Sequence, residues 1–229
     1  MAEAPFRVGF LLFPDVTQLD LTGPWEVLSG IPGAETRLVW KEAGPVAAKK
    51  GLVISADTSF ADCPQLDLIC VPGGPGMNAL LTDDTVLDFL RQQAKGAQWV
   101  TSVCTGSLVL GAAELLRGKR AACHWSSRDL LAQFGAIPVD ERVVFDGNVV
   151  TGGGVTAGID FALSIVATMH GEEAAQAAQL QIEYDPAPPF DAGSPRSAPA
   201  AIVAIAKERA APMLAERRAQ VERAAARLG

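Results

Sequence analysis

The sequence has few of the features that nucleic-acid binding, membrane insertion or secretion require. Its 19 Lys and Arg are outnumbered by 26 Asp and Glu, giving a net charge of −7, whereas binding to phosphates needs clustered cations. No charge-free apolar run is long enough to span a bilayer, and the start of the chain lacks the basic region and long apolar core of a signal peptide. We therefore predict a cytoplasmic protein that has neither a nucleic acid nor a membrane as partner.

Soft metal ligands are equally scarce. The chain has four cysteines and two histidines, and no two cysteines show the C-x-x-C spacing of a zinc site. In a reducing compartment these cysteines should stay free thiols, and we expect Cys63, Cys70 and Cys123 to be packing residues. The sequence therefore predicts no metal site.

What the sequence does contain is a regular alternation of buried strands and helices. Continuous apolar runs, typical of strands covered on both faces, lie at residues 7–13, 66–71 and 99–103. In a chain of 229 residues, 49% of them hydrophobic, this alternation predicts an α/β fold. We expect a flavodoxin-like, doubly wound, mostly parallel sheet with helices on both faces, and a small antiparallel hairpin at residues 143–150.

We expect a single domain over residues 1–229 that ends in a helical tail at about 198–229, with a kink or break near Pro212. The cations of this tail alternate with glutamates, which predicts a solvated helix face rather than a nucleic-acid patch. They are Lys207, Arg209, Arg217, Arg218, Arg223 and Arg227.

One cysteine stands apart because of its position. Cys104 follows the strand at residues 99–103 and precedes Gly106, where apolar residues begin to repeat at helical spacing. A sharp turn from strand to helix presents one side chain at the carboxyl edge of a sheet, above a helix N-terminus that favours anions. We expect a nucleophile with a depressed thiol pKa there, although a cysteine with only a packing role fits the same position.

An acidic residue should reach the same edge of the sheet. Asp20 lies after the first strand, in the loop before a helix that we expect Thr22 to cap. Ligands of open α/β sheets bind at this edge, so Asp20 is a candidate proton donor or acceptor. Its alternative role is that of an ordinary capping or turn aspartate.

The glycine-rich segment 72–76 follows another buried strand. Its backbone N–H groups can point into a cleft, which makes Gly73 and Gly74 candidate donors to a developing negative charge. Thr105 is a third candidate, through its hydroxyl or its backbone N–H. Neither G-x-x-x-x-G-K nor G-x-G-x-x-G occurs there, so a phosphate site is not predicted, and a plain tight turn is the alternative.

Five stretches together resemble the DJ-1/PfpI superfamily, and the resemblance covers essentially the whole chain. They are Val-Cys-Thr-Gly-Ser-Leu around Cys104, Leu-Asp-Leu-Thr-Gly-Pro-Trp-Glu around Asp20, Val-Pro-Gly-Gly-Pro-Gly ending at Gly76, the glycine-rich turn 151–158 and the proline-rich span 182–195. Asp20 stands where DJ-1 and its relatives have a glutamate. This departure is typical of the branch of the superfamily that hydrates isocyanides.

The resemblance implies a homodimeric enzyme without a cofactor, acting on a small organic isocyanide, R–NC. The implied reaction adds water to give an N-substituted formamide through a covalent cysteine thioimidate. Cys104 would be the nucleophile and Asp20 the proton donor and base. His124 and Val155 are further candidates for the site.

Several alternatives remain open at this point. Peptidase-like members of the superfamily place a histidine directly after the nucleophile, where this chain has Thr105, and His124 is as well suited to packing as to acting as a base. A glyoxalase is a second alternative within the superfamily. A non-enzymatic alternative is a sensor, either of a ligand, as in AraC-like regulators that continue into helix-turn-helix pairs, or of oxidants through Cys104.

Overall fold

The computed structural model describes residues 4–228, and its elements follow the predicted alternation. The strands are β1 (Phe6–Leu11), β2 (Ala34–Trp40), β3 (Gly44–Ala47), β4 (Val53–Ala56), β5 (Thr58–Ser59), β6 (Leu68–Val71), β7 (Trp99–Val103), β8 (Arg120–Ala121), β9 (Ile137–Pro138), β10 (Val143–Asp146) and β11 (Val149–Gly152). The helices are α1 (Gln18–Leu28), α2 (Met77–Leu80), α3 (Asp84–Ala94), α4 (Gly106–Ala112), α5 (Ala157–His170), α6 (Glu172–Gln181) and α7 (Ala200–Ala225). Short 3₁₀ segments lie at Lys49–Gly51 and Arg128–Phe134.

Seven strands form one sheet in the order β10-β11-β7-β6-β1-β2-β5. All neighbouring pairs are parallel except β10 with β11, which confirms the predicted mostly parallel α/β fold. Because β7, β6 and β1 are adjacent and parallel, their carboxyl ends lie side by side. This is the sheet edge at which open α/β folds bind ligands.

The inner strands are buried on both faces, as their continuous apolar sequences require. Every residue of β6 and β11 is buried, and the side chains of Phe10 and Leu68 are fully enclosed. Enclosing one such side chain contributes roughly 1.5–3 kcal/mol. The strand ends that carry the site are therefore held by the best-packed part of the molecule.

The predicted hairpin at residues 143–150 is present, but it belongs to the main sheet. β10 pairs antiparallel with β11, and β11 is itself parallel to β7. A second antiparallel pair, β3 with β4, forms a separate two-stranded sheet.

The prediction that Thr22 caps a helix was wrong, and of the kink or break predicted near Pro212 the break is absent. α1 begins at Gln18, with Thr17 in the extended N-cap position, so Thr22 lies inside the helix rather than at its cap. α7 continues through Pro212 without a break. A proline removes one N–H and leaves the carbonyl four residues earlier unpaired, but Glu208 and Pro212 are both exposed, so water can reach that carbonyl.

Among residues 4–228, no helix combines the length and the apolar character that crossing a membrane would require. Residues 1–3 and 229, which the single-domain prediction includes, lie outside the described part of the chain.

Candidate active site

Cys104 lies in the sharp turn between β7 and α4, in a strained backbone conformation. Its φ is 57°, in the left-handed region that non-glycine residues seldom adopt. The Cys104 N–H donates to the carbonyl of Gly152 at 2.9 Å, and its carbonyl accepts from the N–H of His124 at 3.3 Å. These bonds hold the turn, and the thiol remains 6% exposed at the edge of the sheet.

Close backbone contact after Cys104 explains the glycine at position 106. A Cβ on Gly106 would lie 2.0 Å from the carbonyl oxygen of Val71, at the end of β6. Only a glycine therefore lets α4 begin this close to the neighbouring strand. The start of α4 and the end of β6 together fix where the thiol points.

Asp20 lies in the first turn of α1 and is fully buried. Its Oδ2 accepts a hydrogen bond from the N–H of Gly73 at 2.9 Å, and its carboxyl faces the Cys104 thiol. Burial raises the pKa of Asp20 from 3.8 to about 7, against the opposing effects of the Gly73 N–H, the Cys104 side chain and the Lys49 charge. A carboxyl with such a pKa exchanges protons readily near neutral pH.

The expected depression of the thiol pKa is not found. Burial raises the pKa of Cys104, the negative charge of Asp20 raises it further, and the N–H of Thr105 lowers it. α4 has only seven residues, and the anion preference of its N-terminus does not offset the loss of water around a nearly enclosed sulfur. A thiolate in this site therefore forms most easily when the proton moves to Asp20, because the pair then keeps a single negative charge.

The predicted backbone donors are used inside the protein. The N–H of Gly73 is bound to Asp20, and the N–H of Gly74 donates to the hydroxyl oxygen of Thr105 at 3.2 Å. A Cβ on Gly73 would lie 2.6 Å from the Thr105 nitrogen and 2.8 Å from Asp20 Oδ2, so these groups converge on one point. In this structure Gly73 and Gly74 therefore position Asp20 and Thr105, and their role as donors to a developing negative charge stays a prediction.

A cavity of about 160 Å³ opens beside the thiol. It is lined by Thr17, Lys49, Gly74, Pro75, Cys104, Thr105, His124, Ser126, Val155, Met213 and Arg217. This volume is comparable to that of an engineered cavity that binds benzene. The structure thus brings five of the residues predicted from the sequence to one cavity: Cys104, Thr105, Gly74, His124 and Val155.

His124 is a half-buried neutral imidazole in this cavity wall. Its Nδ1 lies 2.8 Å from the hydroxyl of Ser126. Burial, together with the charges of Arg217 and Lys49, lowers the pKa of His124 to about 4. At neutral pH His124 therefore carries no charge, and it is a polar lining residue with one ring nitrogen already paired.

Six of the lining residues were not predicted from the sequence, and two of these, Met213 and Arg217, come from α7. Met213 lines the cavity one helical turn before Arg217. Arg217 is 3% exposed, so the prediction that it belongs to a solvated face was wrong. A signal was present, because Met213, Arg217 and Val221 are spaced four residues apart and therefore share one helix face, which is packed against the domain.

The guanidinium of Arg217 is held by neutral partners. Its Nε donates to Asn78 Oδ1 at 3.1 Å, and its Nη1 donates to the hydroxyl of Ser127 at 2.8 Å. Burial lowers the pKa of Arg217, but an arginine stays charged throughout the physiological range. A fixed positive charge therefore lies in the wall of the cavity that contains the thiol.

The arrangement can perform nucleophilic addition with local proton transfer. The Cys104 thiol lines a cavity sized for a small molecule, and the Asp20 carboxyl faces this thiol without lining the cavity itself. Within residues 4–228 no three His, Cys, Asp or Glu side chains are grouped so that they could hold a metal ion. The four cysteines are free thiols; Cys70 and Cys123 are buried and Cys63 is half-buried, as expected of packing residues.

Known proteins resemble the chain at the level of family, full sequence and fold. The DJ-1/PfpI family matches residues 6–168. An isonitrile hydratase of Pseudomonas putida is 59% identical over 222 residues, which cover 97% of each chain. A glutathione-independent glyoxalase of Caenorhabditis elegans, DJR-1.2, is 32% identical over 131 residues, covering 56% of this chain and 70% of that protein. The crystal structure of a THiJ/PfpI family protein from Pseudomonas syringae superposes with a TM-score of 0.92 at 43% identity, covering 95% of this chain and 90% of that one.

Proposed function

The chain belongs to the DJ-1/PfpI family, and we propose that it is an isocyanide hydratase, which adds water to R–NC to give an N-substituted formamide without a cofactor. The observation that carries the proposal is that the buried Asp20 carboxyl faces the Cys104 thiol, which itself lines a small cavity. An isocyanide must be attacked and protonated at the same terminal carbon, so its hydration needs a nucleophile and an acid at one point. The full-length similarity to the Pseudomonas putida isonitrile hydratase supports the same activity.

The first half of the reaction forms a thioimidate. The Cys104 thiol gives its proton to the Asp20 carboxylate, and the resulting thiolate attacks the terminal carbon of the isocyanide. Asp20 returns that proton to the same carbon, so one C–S bond and one C–H bond form as the carbon–nitrogen triple bond becomes a double bond. The N–H of Thr105, which favours the ionised sulfur, stabilises the thiolate during this step.

The second half releases the product. Water attacks the thioimidate carbon, and Asp20 accepts one of the water protons and passes it to the substrate nitrogen. The C–S bond then breaks as the new hydroxyl gives its proton, through Asp20, to the departing sulfur, which yields the formamide and restores the thiol and the carboxylate. Val155 and Met213 supply an apolar wall for the organic group of the substrate.

The test is release of formamide from n-butyl isocyanide, followed by infrared loss of the isocyanide and by chromatography of the product. We expect turnover by the wild type, none by Cys104→Ala and wild-type turnover by Cys63→Ala, which removes a thiol outside the site. Methylglyoxal and a peptide are assayed in parallel. Formation of formamide by Cys104→Ala, or turnover of methylglyoxal in place of the isocyanide, contradicts the proposal.

We further propose that the protein is a cytoplasmic, single-domain homodimer. Large apolar side chains are exposed on α6, on α7 and on the loop between them, including Leu180 (81%), Phe190 (78%) and Ile202 (50%). Large apolar side chains exposed on neighbouring stretches of the chain support an interaction surface there. Analytical ultracentrifugation tests the assembly: a dimer should dissociate on Phe190→Ser with Ile202→Ser, and a wild-type monomer would contradict it.

A further inference from the structure

The charge of Arg217 is not matched by the residues that hold it. Its hydrogen-bond partners, Asn78 and Ser127, are both neutral, and no carboxylate within residues 4–228 forms an ion pair with it. The adjacent Arg218 differs, since it is exposed and paired with Asp129 at 3.3 Å. A buried arginine normally has a carboxylate partner, because an isolated charge loses its hydration on burial.

The residues that line the cavity include two cations and no carboxylate. The cations are Lys49 and Arg217, and the buried Asp20 carboxyl is not itself a lining residue. His124, which also lines the cavity, has a neutral imidazole. A ligand with a negative charge would complement this lining.

The geometry of the guanidinium suits an anionic group with two oxygens. Asn78 and Ser127 occupy Nε and Nη1 and fix the plane of the guanidinium, while Nη2 is neither bound to a described residue nor enclosed as a buried, unsatisfied atom. A planar guanidinium held in this way recognises carboxylates better than a flexible ammonium does. The cavity of about 160 Å³ limits the ligand to a small molecule.

From these observations we propose that the substrate of this site is a short isocyanide that carries a carboxylate, and that Arg217 binds the carboxylate while Cys104 attacks the isocyano carbon. The proposal rests on the proposed hydratase activity and narrows its substrate class. Arg217 is then the residue that determines specificity for the anion.

The test compares isocyanoacetate with its neutral methyl ester in the wild type and in three variants. We expect wild-type kcat/KM to favour the anion by about tenfold or more, because a charge-assisted hydrogen bond is stronger than a neutral one. Arg217→Met should remove this preference mainly by raising KM for the anion, and Arg217→Lys should restore part of it. Arg218→Met, the matched exposed control on the same helix, should keep the wild-type ratio.

Two results would overturn the proposal. One is a wild-type enzyme whose kcat/KM for the ester equals its kcat/KM for the anion. The other is an Arg217→Met variant that loses kcat equally on both substrates and keeps their ratio, since this would make Arg217 only a counter-charge for the thiolate.

A binding measurement on the wild type covers the case in which the variants do not fold or no isocyanide is hydrated. Calorimetry should show that butyrate binds about tenfold or more tightly than butyramide, for the same reason. Equal binding of the two overturns the anion site, whereas tight butyrate binding without turnover of either n-butyl isocyanide or isocyanoacetate refutes the hydratase activity alone.

Discussion

The carboxyl of Asp20 and the thiol of Cys104 face each other at the carboxyl edge of the sheet, with Asp20 fully buried and Cys104 only 6% exposed. Because burial disfavours the charged form of both groups, the two behave as one unit that loses its first proton near neutral pH. This coupling determines how both activity and stability should depend on pH.

The first prediction concerns the pH dependence of activity. Burial raises the pKa of Asp20 to about 7, and the pair needs a vacant carboxylate to take the thiol proton. We expect kcat/KM for a neutral isocyanide to rise with pH up to about 7 and then to level off, so that activity at pH 5 is roughly 100-fold below the plateau. A pH series with a stopped assay checks this.

His124→Gln is the control for that profile. Since the pKa of His124 is lowered to about 4, its ring does not titrate near 7, and the step in the profile should survive the substitution. A step that disappears in His124→Gln would assign the titration to histidine and contradict the role given to Asp20.

The second prediction concerns stability. The folded-state pKa of Asp20, about 7, lies above its ordinary value of 3.8, so between these values the folded protein holds a proton that the unfolded chain has released. Stability must therefore fall as pH rises from about 4 to about 7. Asp20→Asn cannot ionise, and its free energy of unfolding should gain up to about 4 kcal/mol relative to wild type over that range. Urea unfolding at pH 4.5 and pH 8 measures the unfolding free energies, and Asp191→Asn, at an exposed position, is the control. If the difference between Asp20→Asn and the wild type is the same at both pH values, the prediction is refuted.

The third prediction tests the close contact between Gly106, just after the turn that holds Cys104, and the Val71 carbonyl. In Gly106→Ala, the added methyl carbon would lie 2.0 Å from the carbonyl oxygen of Val71. Because this distance is too short, the backbone at one of the two residues must move. We expect a loss of about 1–3 kcal/mol or more in unfolding free energy, and slower alkylation of Cys104 by a small haloacetamide. Gly193→Ala is the matched control, because nothing lies within 4 Å of its added Cβ. Equal stability of the two variants would show that the contact is unimportant.

The fourth prediction tests the support of Thr105. Thr105→Val keeps the shape of the side chain but removes the oxygen that accepts from the buried N–H of Gly74. Leaving that donor unpaired should cost about 1–3 kcal/mol in unfolding free energy, and Thr105→Ser should recover most of it. Thermal unfolding of the wild type, Thr105→Val and Thr105→Ser measures these differences. If Thr105→Ser is no more stable than Thr105→Val, the loss of stability comes from packing and not from the hydrogen bond.

The parts of the fold and site that could be predicted are those set by local pattern. The apolar run of β7 followed by Gly106 identified the turn that holds Cys104, and the continuous runs of β1 and β6 identified the parallel sheet. Topology then placed the ends of these strands together, which is why Asp20 could be assigned to the same edge as Cys104.

The parts that could not be predicted depend on contacts between distant segments. The hydrogen bonds from Gly73 to Asp20 and from Gly74 to Thr105 are shown only by the packed structure. Arg217 has the composition of a surface residue, and its burial depends on Asn78 and Ser127, 139 and 90 positions away in the chain. The thiol pKa was misjudged because the degree of enclosure of a sulfur has no signature in sequence.

α7 has a consequence for how such a protein can diversify. Cys104 and Asp20, the proposed nucleophile and acid, both lie inside the stretch shared with the family, residues 6–168, whereas Met213 and Arg217 lie beyond it. The proposed reacting groups and one part of the cavity wall are thus encoded in separate stretches of the gene. Mutation of the last helix can retune which compounds are accepted while the chemistry itself is inherited unchanged.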